Sequence, residues 1–208
     1  MALRSLLYLL PVAAYLLGSI PVGLLLVRWR VRKDVRGTGS GNIGATNVWR
    51  TAGKGLAVAT LVGDALKGAL PCLAALYLAG QAFPMLPSWY GVVVGAAAVA
   101  GHMFPLYLGF RASGKGVATA AGVFSVLAPL ACGIAFSVFI LLALVTRRVS
   151  IGSLIGALVL PPALWFTTRD PYLAGGGTLI MLMILARHRD NIQRLRQGKE
   201  PRFKGRTD

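Results

Sequence analysis

The feature that most constrains this chain is a series of apolar runs, several of them long enough to cross a bilayer. A hydrocarbon core takes about 20 predominantly apolar residues of helix. Residues 6–27 form such a run, closed by Arg28, Arg30, Arg32, Lys33 and Arg36. Further runs cover residues 56–78, 89–110, 117–146, 151–166 and 172–186. With 56% of 208 residues hydrophobic and only 13% charged, one soluble core could not bury the apolar surface. The expected fold is therefore all-α: a polytopic integral membrane protein forming one transmembrane domain over residues 1–208. The first run is long for a signal-peptide core and continues through Gly18, Ser19, Ile20, Pro21 and Gly23 before its basic stop, so it reads as a retained helix.

Orientation follows from the basic residues. The chain carries 22 Lys+Arg against 6 Asp+Glu, a net charge of +16. In a soluble protein that balance would suggest nucleic acid. Here the cations lie between apolar runs, which points to cytoplasmic loops and anionic ligands, with no nucleic acid. The run 117–146 would span about 45 Å as one helix, too long for a single crossing. Pro129 interrupts it, and Arg111 and Lys115 before it and Arg147 and Arg148 after it require an even number of crossings if both pairs face the cytoplasm. Two short helices meeting near Ala128 and Pro129 meet that requirement and bring the total to about seven. With the N-terminus outside and the C-terminus in the cytoplasm, residues 28–55, 111–116, 147–150 and 187–208 hold 19 of the 22 cations.

Three cytoplasmic segments hold most of the unusual polar residues. The first contains Gly39, Ser40, Gly41, Asn42, Gly44, Asn47 and Arg50. The second runs from Gly101 and His102 through Phe110, Arg111, Ala112, Ser113, Gly114, Lys115 and Gly116. The third holds Arg187, His188, Arg189, Asp190 and Asn191, with Glu200 beyond. Gly39, Gly41 and Gly44 imitate a dinucleotide fingerprint, with Asp64 at the distance of a ribose acid, but no strand precedes them and Asp64 lies in an apolar run. Gly109 to Lys115 imitates a P-loop, yet Gly116 stands where Ser or Thr would hold Mg²⁺. What survives is the shared physics. Glycine-rich backbone at a helix start presents N–H donors to an anion, and the helix dipole favours negative charge there. Ser40 and Asn42 add side-chain donors, Arg50 a planar fork and Lys115 a compact charge. Two such segments at one membrane face suggest two bound anionic groups, and two phosphates fit.

Other polar residues have plainer readings. Asp64 and Lys67, three apart, can neutralise one another at partial membrane depth. His102 suits helix packing. Cys72 and Cys132 sit singly in apolar runs as small hydrophobes, and no carboxylate cluster or His pair calls for a metal.

The ordered segments Gly-Ser-Ile-Pro-Val-Gly, Gly-Ser-Gly-Asn-Ile-Gly-Ala-Thr-Asn-Val-x-Arg, Asp-Ala-Leu-Lys-Gly, Gly-His-Met-Phe-Pro, Gly-Lys-Gly-Val-Ala-Thr and Arg-His-Arg-Asp-Asn-Ile resemble the bacterial acyl-phosphate-dependent glycerol-3-phosphate acyltransferases, the PlsY family. The resemblance implies an inner-membrane enzyme, multi-pass, with its active site facing the cytoplasm and no cofactor. It implies acyl transfer from acyl phosphate to the 1-hydroxyl of sn-glycerol 3-phosphate, giving lysophosphatidic acid and phosphate, by a chain that functions as a monomer. It assigns Ser40, Arg50 and Lys115 to substrate phosphates; Gly41, Asn42, Gly44, Ser113, Gly114 and Gly116 line the cradles by the backbone-donor argument above. It also makes His188 and Asn191 necessary for activity and Glu200 structural, while the pairing of Asp64 with Lys67 gives those two a structural role. The hydroxyl proton has two candidate acceptors, His188 and the substrate phosphate. The family pattern of Phe, a basic residue and Gly-Gly-Lys-Gly is here one residue longer, with Ser113 and a single glycine before Lys115. The rival reading is a transporter or flippase for an anionic solute or lipid. No internal repeat supports it.

Overall fold

The computed structural model describes residues 2–82, 87–111 and 113–202, so Ala112 in the lengthened loop and the tail beyond Arg202 lie outside the described residues. Among these residues there are ten α-helices and no strand, and the all-α expectation holds. The helices are α1 (Ala2–Gly18), α2 (Val22–Val31), α3 (Ala45–Ala52), α4 (Lys54–Ala82), α5 (Ser88–Met103), α6 (Val117–Leu127), α7 (Pro129–Thr146), α8 (Val149–Thr168), α9 (Pro171–Arg187) and α10 (Arg189–Arg196). Among the described residues, five segments are long and apolar enough to cross a membrane: Leu7–Val31, Lys54–Gly80, Ser88–Leu108, Pro129–Thr146 and Val149–Thr168. Val117–Leu127 and Pro171–Arg187 are shorter apolar helices.

Two of the expected runs end differently in the structure. The first, read as one helix, breaks between Gly18 and Val22. Pro21 has no N–H to continue the ladder, and its ring disfavours helical backbone at Ile20. Ser19 Oγ donates to Tyr15 O across 2.8 Å as the helix ends. The third run stops at Met103 rather than Phe110, because Pro105 follows and a short 3₁₀ turn, Leu106–Leu108, replaces the helix. The break at Ala128 and Pro129 is where proline places it, with Pro129 opening α7. The two helices it separates are unequal, 11 and 18 residues. Helices α2, α7 and α8 each terminate on an arginine with positive φ (Arg32, Arg147, Arg169), so a cation stands at the negative end of each dipole.

The chain divides into two compact units, residues 1–127 and 128–208. In the first, α4 packs against α1, α2, α3, α5 and α6, and α1 packs along α5. Small residues allow the close approaches on which helix association in lipid depends. Ala98 O occupies the place of a Cβ on Gly18, and Tyr15 O that of a Cβ on Gly101. Ala65 O does the same at Gly122, and Thr119 O at Gly68, sealing α4 to α6. Ala14, Ala75, Tyr90, Val94 and Ala98 form the core beside α1, and Tyr90 Oη donates to Leu7 O across 2.8 Å. In the second unit α8 packs between α7 and α9, and α9 leads into α10.

Candidate active site

The first glycine-rich segment is a loop folded around one buried amide. Its floor is the cluster of Leu24, Val27, Val35, Ile43, Val48 and Ala57, which holds the segment against α2 and α4. Asn47, in the first turn of α3 and 1% exposed, projects into the loop. Its Oδ1 accepts from Ser40 N–H at 2.9 Å. Its Nδ2 donates to Val35 O (2.9 Å), Thr38 O (3.1 Å) and Asn42 O (2.8 Å). Loop backbone outside a helix needs such partners, and here one buried side chain bonds to four of its groups. Gly39 and Gly41 have φ of +57° and +68°, a conformation that any Cβ would strain. Asn42 Oδ1 accepts from Gly44 N–H at 2.8 Å, which turns the chain into α3. Gly44 then opens that helix without a side chain to cap it.

This arrangement brings Ser40 and Arg50 to the same exposed edge of the loop. Both are exposed, and Arg50 Cδ lies 4.0 Å from where a Cβ on Gly39 would stand. Asp34 removes competing charge nearby. Its carboxylate accepts from Arg36 Nη2 at 2.7 Å and Arg28 Nη2 at 2.6 Å, and the Arg36 and Arg28 bonds hold it well below the usual carboxylate range. Asn47 carries no role in the sequence reading. The signal that could have found it is an asparagine in the first turn after a glycine-rich loop, where an amide can serve as acceptor and donor together.

The second loop joins α5 to α6. Gly109 and Phe110 take φ of +64° and +59°, and Phe110 N–H donates back to Pro105 O at 3.0 Å. Ser113 N–H donates to Met103 O at 3.1 Å. The Ser113 hydroxyl is buried without a hydrogen-bond partner among the described residues. Gly114 and Gly116 are buried and Lys115 between them is half-buried. Their glycine identity follows from packing: the His102 ring and carbonyl fill the Cβ position of Gly114, and the Met103 methyl that of Gly116. Gly116, at φ +79°, accepts the first α6 bond from Ala120 N–H at 2.8 Å. Tyr15 Oη donates to Phe104 O at 2.7 Å and pins the loop's start to α1.

In the second unit, His188 interrupts the helix between α9 and α10 and is 2% exposed. Its Nδ1 lies 2.8 Å from Ile184 O, so Nδ1 carries the proton and Nε2 is the nitrogen able to accept one. Asn191 Nδ2 donates to Glu200 Oε1 at 2.6 Å, and Arg194 Nε to Glu200 Oε2 at 2.8 Å. Arg148 Nε reaches the Glu200 carbonyl at 3.3 Å. Burial raises the Glu200 carboxyl, but Ser150, Asn191 and Arg194 outweigh it and leave the group below its ordinary range.

Apolar helices of spanning length and two basic glycine-rich loops in one unit define a helical membrane protein equipped for anionic groups. The sequence profile described as glycerol-3-phosphate acyltransferase matches residues 8–198. Curated glycerol-3-phosphate acyltransferases are similar over almost their full length. That of Syntrophotalea carbinolica is 49% identical, over 95% of this chain and 97% of its own. That of Geobacter sulfurreducens is 47% identical, over 94% and 97%. Two crystal structures of PlsY (YgiH), an integral membrane glycerol 3-phosphate acyltransferase, superpose on the fold. The glycerol 3-phosphate form gives a TM-score of 0.87 at 36% identity, covering 95% of this chain and 96% of that one. The lysophosphatidic acid form gives 0.84 at 35% identity, covering 95% of each. The chain belongs to the glycerol-3-phosphate acyltransferase family and is an integral membrane protein.

Proposed function

We propose that this protein transfers a fatty acyl group from acyl phosphate to the 1-hydroxyl of sn-glycerol 3-phosphate. The observation that carries the proposal is the pair of glycine-rich loops in one unit, one presenting Ser40 and Arg50 and the other Lys115. Two substrates that each bear a phosphate need two such places. The glycerol hydroxyl attacks the acyl carbonyl carbon, and the bond from that carbon to the bridging phosphate oxygen breaks as the tetrahedral intermediate collapses. Lysophosphatidic acid and hydrogen phosphate leave, the latter carrying the proton that the hydroxyl lost. Because acyl phosphate is a mixed anhydride with a good leaving group, positioning and electrostatic stabilisation suffice for catalysis. Arg50 and Lys115 supply the positive charge for the oxyanion and the departing phosphate, and Ser40 a hydroxyl to a phosphate oxygen. Gly41, Asn42, Gly44, Ser113, Gly114 and Gly116 shape the two loops. His188 and Asn191 contribute to turnover, with Asn191 oriented by Glu200.

The five long apolar segments and two shorter apolar helices support about seven crossings. The basic residues support an inner-membrane orientation with the N-terminus outside, and the active site and C-terminus at the cytoplasm. The profile match across residues 8–198 supports one acyltransferase domain; in this reading it acts as a monomer.

Donor choice tests the reading. Purified protein with glycerol 3-phosphate is offered palmitoyl phosphate, palmitoyl-CoA or palmitoyl-acyl carrier protein, and product is measured. Turnover with palmitoyl phosphate alone is expected. Equal or better turnover with either thioester removes acyl phosphate as the donor.

A further inference from the structure

Three ionisable side chains lie deep among the helices of the first unit, and the acyl-transfer chemistry does not use them. Asp64 and Lys67 lie on α4 and His102 on α5, each 3% exposed. Lys67 Nζ stands 2.9 Å from Asp64 Oδ1, and His102 Nδ1 stands 3.5 Å from the same oxygen. Ionisable groups at such depth are expensive unless they meet one another or backbone carbonyls. A pair would have been enough to neutralise the charge. The third member and the outward contacts of the chain need another reason.

Those contacts lead to both glycine-rich loops. Lys67 Nζ donates to Ile20 O at 3.0 Å, inside the break between α1 and α2. Three residues further on, the Cβ position of Gly23 is filled by Ile43 O, so the break and the first loop move as packed neighbours. Ile43 is itself 1% exposed in the cluster beneath that loop. At the other end, the His102 ring and carbonyl fill the Cβ position of Gly114, the residue before Lys115.

We propose that Lys67, Asp64 and His102 form a positioning chain that sets the backbone of both loops. Substrate affinity would then depend on buried side chains that touch neither substrate. The inference rests on the acyl-transfer reading and gives Asp64 and Lys67 a task beyond mutual neutralisation. Interiors are close-packed, so a displacement at Ile20 or His102 reaches the loops rather than dissipating. Lys67 reaches the first loop through Ile20 and Gly23, and the second through Asp64 and His102. His102 reaches only the second directly.

The test is steady-state kinetics on the full-length purified protein with palmitoyl phosphate and glycerol 3-phosphate, alongside thermal unfolding. The variants are Lys67→Met, His102→Ala, His102→Gln and Lys115→Ala. His102→Ala is expected to raise one KM by about tenfold or more, as small misplacements do. It should be the KM of the substrate that Lys115→Ala also weakens, and the other KM should stay unchanged. His102→Gln puts an amide where Nε2 meets Gly114 but leaves nothing at Nδ1 toward Asp64, so it should recover only part of that loss. Lys67→Met should raise both KM values. If Lys67→Met does not fold, the two His102 variants decide the matter. Folded His102→Ala with both KM values unchanged overturns the proposal, as do losses in both His102 variants that merely track unfolding temperature. An inactive wild type would overturn the acyl-transfer reading and this inference with it. An active wild type with unaffected variants overturns this inference alone.

Discussion

Asn47 Oδ1 accepts the backbone N–H of Ser40 across 2.9 Å, and this bond holds the serine at the exposed edge of its loop. The same side chain donates to three carbonyls of that loop, so Asn47 sets the backbone path on which Ser40 and Arg50 depend.

Replacing Asn47 with Ala removes the described partner of Ser40 N–H and Asn42 O, while Val35 O keeps its bonds from Thr38 and Thr38 O its bond from Gly41 N–H. Each group orphaned away from water costs about 1–3 kcal/mol. Asn47→Ala should lower the unfolding temperature by several degrees, at about 2–4 °C per kcal/mol for a domain of this size. Turnover should fall at least about tenfold, since a displaced positioning group costs that much. Thermal unfolding and initial rates check both. Wild-type rates in a folded Asn47→Ala protein would show that the loop does not serve the reaction.

Gly114 and Gly133 should respond oppositely to the same substitution. A Cβ on Gly114 would run into the His102 ring and carbonyl, so Gly114→Ala should be destabilised and poorly active. Nothing lies within 4 Å of a Cβ on Gly133, which sits on an exposed face of α7. Gly133→Ala should raise stability, by up to about 1 kcal/mol of helix propensity. Denaturation of the two variants side by side is the measurement.

How much of this was legible beforehand depended on whether the deciding contact was local. The helix start at Pro129 was legible, because proline's missing N–H acts on its own neighbours. The break at Ile20 was not, although Pro21 was in plain view. An apolar run through Gly18, Ser19 and Ile20 reads as continuous, and the group that donates to the freed Ile20 carbonyl is Lys67, 47 residues away. Ser40, Arg50 and Lys115 stood out as a hydroxyl and cations among glycines. Asn47 did not, since its importance lies in four bonds to backbone that only the folded loop brings within reach. The sequence reads the glycines at 114 and 116 as backbone N–H donors to an anion. The structure adds a packing reason, the closeness of His102 and Met103.

Glu200 should make the second unit sensitive to acid. Its carboxyl lies below the ordinary value of 4.5 in the folded protein, because the nearby Ser150 hydroxyl and the hydrogen bonds from Asn191 and Arg194 outweigh its burial. A depressed folded value means the stabilisation is present above the unfolded value and is lost as pH falls through the folded one. Wild-type unfolding temperature should therefore drop below about pH 4.5. Glu200→Gln should be less stable at neutral pH, by about 1–3 kcal/mol, and flatter in acid. Unfolding temperatures of both proteins between pH 3 and 7 test this. Parallel curves would remove Glu200 as the source.

His188 can be separated into its two nitrogens. Asn at this position can mimic Nδ1 and its bond to Ile184 O, but it offers nothing at Nε2. His188→Asn should stay folded and lose about a hundredfold in turnover, the scale of a lost acid–base group. Retained turnover would confine His188 to holding the corner between α9 and α10.

The most direct test of the account follows labelled glycerol 3-phosphate into lipid. Purified wild type, Ser40→Ala and Lys115→Ala are each given labelled glycerol 3-phosphate and palmitoyl phosphate, and the lipid product and released phosphate are quantified together. The account predicts labelled lysophosphatidic acid and phosphate in equal amounts from the wild type, with both lost in each folded variant. Phosphate release without labelled lipid, or full activity in both variants, would contradict it.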